Sequence, residues 1–382
     1  MSENGDTVNK MAEPNLSWDW GTAYDLFVSL QVLHHPSIFG LRAAWAAGMR
    51  SRLPVTERET LEQFQKAKMA MPLHWVNGLP KPKDGAVVLR ALKEMAPGDR
   101  LAALTLKPGD PDLFRQVFLD VRDKGTWDDT HLEELIAEVK EMEGGERVHT
   151  KTTDVEVALE LWAEAEASGE RLLTALRAYH EVFFAEEENR IRPALEEGFE
   201  TARNLAENLS VRDLLEELSQ GVVLEEGFET PNLVFAPSFW GSPLLIFDKI
   251  AEDREIILFG ARPLEASLVP GEVVPDALLR GLKALSDSTR LRILRYLSEE
   301  ALTPSQLSRR LRLRSSTVVH HLDVLRLATL VQFRIGEHGK DRRYAARPEA
   351  VASLRSSLDV FLGQAEMIET ESLPVEAETA GD

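Results

Sequence analysis

Apolar positions between Ser17 and Leu218 recur every three or four residues, the spacing that lines one face of a helix. AYDLFVSLQVLHH and FGLRAAWAAGMRSRL are two such segments, divided by Pro36. TERETLEQFQKAKMA follows, with Thr56 and Glu59 at the spacing of a capping box. AVVLRALKEM, DPDLFRQVFLDVR and TWDDTHLEELIAEVKEM add three more helices, each closed by Gly, Pro or a polar cluster. Strands do not alternate with these helices, which argues against a doubly wound nucleotide-binding fold. From about Asp154 to Leu218 the period runs on. Leu172, Leu176, Tyr179 and Phe183 share a face there, and Leu195, Phe199, Ala202, Leu205 and Leu209 continue it. Pro193 is expected to kink this stretch or to start a new helix. The stripe has two uses open to it, packing on its own core or a coiled-coil-like seam between chains.

The pattern then changes. NLVFAPSFW, SPLLIFDKI and REIILFGARP are short runs of Val, Ile, Leu and Phe between Gly, Pro and Asp, which predict a small antiparallel meander. ARPLEASLVPGEVVPD, with three prolines, reads as a linker. Beyond it, DALLRGLKALSDSTRLRILRYLSEE predicts two helices broken at Ser286-Asp287. TPSQLSRRLRL is a short helix with Thr303 as cap and Pro304 at the first position, where a missing N–H costs nothing. A break at Arg314-Ser315 leads into SSTVVHHLDVLRLATLV, then VQFRI and DRRYAAR joined by GEHGK as a hairpin, then a last helix, PEAVASLRSSLDVFLGQ. This order is that of a winged helix-turn-helix.

Charge sharpens that division. The 382 residues carry a formal net charge of -20, unevenly spread. Residues 275–365 hold 16 Lys and Arg against 9 Asp and Glu, a balance of +7, whereas residues 1–274 sum to -21 and residues 366–382 to -6. A basic module joined to a large acidic one points to a polyanionic partner for the former. With 43% hydrophobic and 28% charged residues the chain reads as globular, of two or three domains. The expected layout is a flexible lead (1–16), an acidic, mainly helical sensor or dimerisation domain (17–262), a linker (263–275), a winged helix-turn-helix domain (276–365) and an acidic tail (366–382). The fold class is mainly α with small antiparallel β elements. No apolar run approaches the roughly 20 residues that cross a bilayer, and MSENGDTVNKMAEPN lacks the apolar core of a signal peptide, so a cytoplasmic protein with no membrane partner is expected. Cysteine is absent, which removes disulfides, thiolate metal sites and cysteine nucleophiles.

LSDSTRLRILRYL, TPSQLSRRL and SSTVVHHLDVLRLATLV together resemble the ArsR (arsenic-repressor-like) family of bacterial transcription regulators. The likeness covers roughly the last quarter of the chain. The acidic region looks like the large N-terminal domain of an ArsR subgroup, which brings no chemistry with it. The resemblance implies a repressor that binds double-stranded operator DNA as a homodimer. It also implies that the start of the SSTVVHHLDVLRLATLV helix enters the major groove, a role falling here on Arg314, Ser315, Ser316, Thr317, Val319 and His320. Lys340, Arg342 and Arg343 in the hairpin are expected to meet phosphates or the minor groove. Helical rotation gives the same face independently. With Val318, Leu322 and Leu325 turned to the core, Ser316 and His320 lie opposite, and His321 falls at the border as a structural, hydrogen-bonded residue. Two positions depart from the family pattern. Asp323 lies on the outward face where a base is common, and Thr329 replaces a glycine after the helix.

Other chemistries lack their residues. The family's cysteine pair would lie near Ala301 to Gln306, and EALTPSQL has none; the last helix, through Phe361, has no histidine. No metal and no cofactor are therefore expected. His34-His35 reads as helix capping or core, DDTH at 128–131 as a helix start, and HEVFFAEEE as charged helix surface without HExxH or ExxH spacing. APSFWGSP is no GxSxG elbow, so an enzyme is not expected. The alternative to DNA binding is a winged-helix protein-interaction module, which an exposed apolar patch on the same face would favour. Trp18, Trp20, Trp45, Trp75, Trp127, Trp162 and Trp240 either line an effector pocket in the acidic domain or pack its core.

Overall fold

The computed structural model describes residues 13–67, 71–142, 150–224, 230–335 and 342–363. The chain enters through strand β1 (Asn15–Trp18), within what the sequence reading assigned to a lead and a first helix. Twelve helices follow before the next strand among the described residues. The first, α1 (Thr22–His34), is buried on nearly every side, with Tyr24, Leu26, Val28 and Val32 fully covered. A helix apolar all round belongs in the middle of a core. The same core takes in α2 (Ala43–Arg50), α3 (Val55–Lys66), α4 (Leu73–Asn77), α5 (Gly85–Glu94), α6 (Arg100–Thr105), α7 (Asp112–Lys124) and α8 (Asp129–Met142). The capping box expected at Thr56 does not form. The chain turns helical at Val55, so Thr56 sits inside the first turn and its carbonyl accepts from Thr60 Oγ1. Asp84 does cap α5, accepting from Val87 N at 2.8 Å.

The long periodic stretch resolves into α9 (Thr152–Ala163), α10 (Ala165–Tyr179), a π turn over His180–Phe184, α11 (Ala185–Ala206) and α12 (Val211–Ser219). Pro193 neither starts a helix nor ends one; α11 runs through it. Leu172, Leu176, Tyr179, Phe183 and Leu195 all face the chain's own main core, so that part of the stripe is not free to form a seam with a second chain. Trp162 and Trp240 are core residues, and Trp240 stacks on Trp45 with centroids 6.4 Å apart.

Strand β2 (Val222–Leu224) follows α12, then β3 (Asn232–Ser238), β4 (Ile246–Ala251) and β5 (Arg254–Gly260). The sheet has order β1-β3-β5-β4 and is mixed, not the expected antiparallel meander. β4 and β5 form an antiparallel hairpin, but β3 pairs in parallel with both β1 and β5. The reason lies in burial on both faces, which favours parallel pairing over a half-solvated meander. Val234, Ala236, Ile256 and Leu258 face the helical core, while Leu233, Phe235, Ile257 and Phe259 meet Ala202, Leu214 and Leu215 of α11 and α12. The segment 263–275 is not a loose tether either, for Leu268 is buried in the main core.

A separate core begins with α13 (Asp276–Leu285) and α14 (Ser288–Glu299), followed by α15 (Pro304–Leu311), α16 (Ser315–Leu327), β6 (Val331–Ile335), β7 (Arg342–Ala346) and α17 (Pro348–Phe361). Ile293, Leu297, Leu307, Val318, Leu322, Leu325 and Phe333 fill it. β6 and β7 pair antiparallel, and Leu302 adds a single bridge to Tyr344 on the far side of β7. The outer edge of β6 is covered in parallel by β2, so the acidic region closes an edge that would otherwise present unpaired backbone groups.

Candidate nucleic-acid interface

Local chemistry places the helix-turn-helix. Asp287 caps α14 by accepting from Arg290 N at 2.9 Å, and the Arg290 side chain donates to the carbonyls of Ala284 and Lys283 at 2.7 Å each, locking α14 to the end of α13. Thr303 and Gln306 form the capping box of α15, with Pro304 at its first position as the sequence predicts. α15 ends where Arg312 takes a left-handed conformation at φ 56, and the backbone of Leu313 bonds back to Ser308 O at 3.1 Å. Three residues later α16 begins. Arg314 is its N-cap, yet no side chain satisfies the first-turn N–H groups. A helix start left open in this way attracts phosphate oxygens and other acceptors.

The rotation of α16 follows the sequence reading. Val318, Leu322 and Leu325 are fully buried; Arg314, Ser315, Ser316, Thr317, His320 and Asp323 are exposed; Val319 lies between. His321 borders the core at 13% side-chain exposure, but the hydrogen bond expected for it is missing. Its Nδ1 stops 4.0 Å from Asp287 Oδ1, and burial holds its imidazole below the usual histidine range. Asp287 Oδ1 instead accepts from Arg290 N in the α14 cap. Arg342 and Arg343 are both exposed on β7, and Arg342 lies over the Phe333 ring at 5.7 Å. Lys340 and the GEHGK loop fall outside the described residues, as does the acidic tail.

Arg309, Arg312, Arg314 and Arg343 have no carboxylate partner among the described residues, whereas Arg310 is paired with Glu300 at 2.7 Å. These four exposed guanidiniums, two of them at Arg312 and Arg314 just before the open start of α16, put positive charge on the surface of a protein of negative net charge. At the other end of α16, Thr329 adopts φ 56, a left-handed conformation that is strained for a β-branched residue. Arg347, which no motif singles out, holds that turn. Its Nη1 donates to Thr329 O at 3.0 Å and to Gln220 O at 2.5 Å, bridging the two cores.

Glu187 and Glu188 are buried, which corrects their reading as charged helix surface. Glu187 accepts from Trp240 Nε1 at 2.9 Å; Glu188 accepts from Gly85 N at 3.0 Å and from Thr22 Oγ1. Asp25, pushed up to about 6 by burial, accepts from Ser238 Oγ and from the backbone of Phe239 and Trp240. Among the described residues no group of three or more His, Asp or Glu is placed to hold a metal, and no helix is long and apolar enough to cross a membrane.

Residues 285–332, from the end of α13 into β6, match the family model of a helix-turn-helix domain. No curated protein and no solved structure matches the chain. The chain thus carries, towards its C-terminus, a helix-turn-helix of the kind that makes DNA-binding regulators.

Proposed function

We propose that this protein is an ArsR-like transcriptional repressor that binds operator DNA as a homodimer, reading bases with the start of α16 and holding phosphates with the wing. The observation that carries the reading is the open, arginine-flanked start of α16, projecting Ser315, Ser316, Thr317 and His320 into solvent. No described side chain of α15, α16, β6 or β7 is an exposed large hydrophobic, which favours DNA over an apolar protein partner on this face. A site for the second protomer is suggested by α13 and α17. They pack closely where Gly281 lets Leu354 approach, and they leave Leu282, Val360, Phe361 and Leu362 exposed. The acidic region then serves dimerisation or effector sensing, and neither metal nor cofactor takes part.

Selection of binding sites from random duplex DNA, followed by titration of the enriched sequence, tests this. The expected result is a pseudo-palindromic site bound by two chains, with affinity falling steeply as salt rises. A strictly monomeric chain that enriches no sequence and binds no duplex at low salt would overturn it.

A further inference from the structure

A cavity of about 380 Å³ lies between the two cores, within the size range of small-molecule sites. Its walls come from both sides. The larger region supplies the end of α12, the loop after β3 and the residues after β5; the winged domain supplies α13, α17 and Leu327 to Thr329 at the end of α16. Two guanidiniums are set into it. Arg262 donates Nη2 to Ser242 O at 2.9 Å, but its Nη1 is shut from solvent and meets no acceptor among the described residues. Arg280 leaves both Nε and Nη1 in the same condition.

Such an arrangement is costly. A buried guanidinium N–H without an acceptor loses its hydration and gains nothing in exchange. Here two like charges also oppose each other. Burial, and then the charge of Arg280, push Arg262 down to about 9, with Asp276 only partly offsetting them. Asp276 is itself occupied, accepting from Leu268 N at 2.6 Å. The other charged groups on the cavity wall are Glu217, Arg347 and Glu349, and the last two are bonded to each other at 2.9 Å. Beyond the Arg347–Glu349 pair the wall therefore carries two arginines against one carboxylate, Glu217, while Ser353 and Ser357 of α17 add hydroxyls. An oxyanion seated against the two arginines supplies negative charge where burial and mutual repulsion disfavour theirs.

We propose that this cavity binds a small organic anion bearing a carboxylate or phosphate group through Arg262 and Arg280, and that occupancy adjusts the affinity of the winged helix for DNA. The regulatory half rests on the DNA-binding reading above; the site itself does not. The route is short. The occupant touches Thr329, whose carbonyl is held by Arg347, whose other bond is to Gln220 of the acidic region. Fixing those walls fixes how the recognition helix is carried by the larger region.

The full-length chain without DNA is melted in citrate, glucose 6-phosphate and inorganic phosphate, each matched in ionic strength with chloride. A saturable rise in Tm of about 3 °C is expected with at least one oxyanion at tenfold over its Kd. Citrate against glucose 6-phosphate separates a carboxylate ligand from a phosphate one. The rise should vanish in Arg280→Gln. Because that variant alters a buried group, Ser353→Glu is the second arm. It places a carboxylate on an exposed helical position at the cavity wall and should weaken the anion at least tenfold with the fold intact. No saturable rise in any oxyanion, or the same rise in wild type and Ser353→Glu, would overturn the site. DNA affinity measured with and without the effective anion should then differ at least threefold. Equal affinities overturn the coupling, whereas a chain that binds the anion but no DNA overturns the regulator reading and leaves the site standing.

Discussion

His320 and His321 are neighbours with ring centroids 6.1 Å apart, yet one is exposed and the other lines the core. Their substitutions should therefore part company. His320→Ala should cost about 1–3 kcal/mol on the selected site and little on random duplex, the mark of a base-edge contact. Arg343→Ala, in the wing, should weaken both alike and lower the salt slope by about one unit per chain. His321→Ala should leave specificity alone and lower stability by about 1 kcal/mol, since it removes a side chain packed at the core border. Anisotropy titrations on both DNAs, with melting curves of each variant, decide it; loss of specificity in His321→Ala with His320→Ala silent would mean that the wrong face of α16 reads DNA. A further prediction concerns Thr329. Relief of its left-handed backbone gains about 1–2 kcal/mol in Thr329→Gly, and the greater unfolded-state freedom of glycine takes back about half. A net stabilisation of about 0.5–1 kcal/mol by urea titration is expected, and a destabilised variant would show that the threonine side chain matters more than the turn.

Among the elements, those with local signals were legible. The Thr303 cap, Pro304, the break at Ser286-Asp287 and the apolar face of α16 each rest on signals a few residues long, and each formed where the sequence placed it. β1 and β2 were not legible, because NLSW and VVL are too short to show a period and owe their state to partners more than a hundred residues away. The mixed sheet was hidden for a related reason: strands buried on both faces show a continuous apolar run whichever way they pair. Which face of α16 turns to the core was legible from its own period, whereas Arg347, Arg262 and Arg280 were not, because their surroundings depend on two cores meeting. α1 offers a test of such long-range burial. His34 donates Nδ1 to Leu30 O at 2.8 Å, its Nε2 is buried without a partner, and burial pushes the imidazole down to about 4. With the unfolded value near 6.5, neutral His34 contributes fully above pH 6.5 and its contribution is lost as pH falls towards 4. Asp25, raised to about 6, works in the opposite sense, its contribution being lost as pH rises through 6. The His34→Gln variant should therefore lose less stability than wild type between pH 6.5 and 4, by on the order of 2–3 kcal/mol. Parallel pH profiles for the two proteins would show that His34 protonates freely in the fold.

At the scale of the whole molecule, the charge division restricts how DNA can be approached. Residues 1–274 carry -21 and would be repelled by a duplex on most sides, so only the +7 module can face it. The acidic region is not a detached appendage, for β2 pairs with β6 and Arg347 ties the two cores together. Two such rigidly carried winged helices in a homodimer would be held at one separation. For both to enter the major groove on the same side of the duplex, that separation must be near one turn, about 34 Å, and the half-sites about 10 base pairs apart. Lengthening the spacer of the selected site by 5 base pairs turns one half-site to the opposite side. Affinity should then fall at least tenfold, towards that of a single half-site. Lengthening it by 10 base pairs restores the side but overstretches the distance, so recovery should be partial at best. Electrophoretic mobility shifts on the three spacers read this directly. Equal affinity for all three would mean that the winged domains move independently, contrary to the β2–β6 junction.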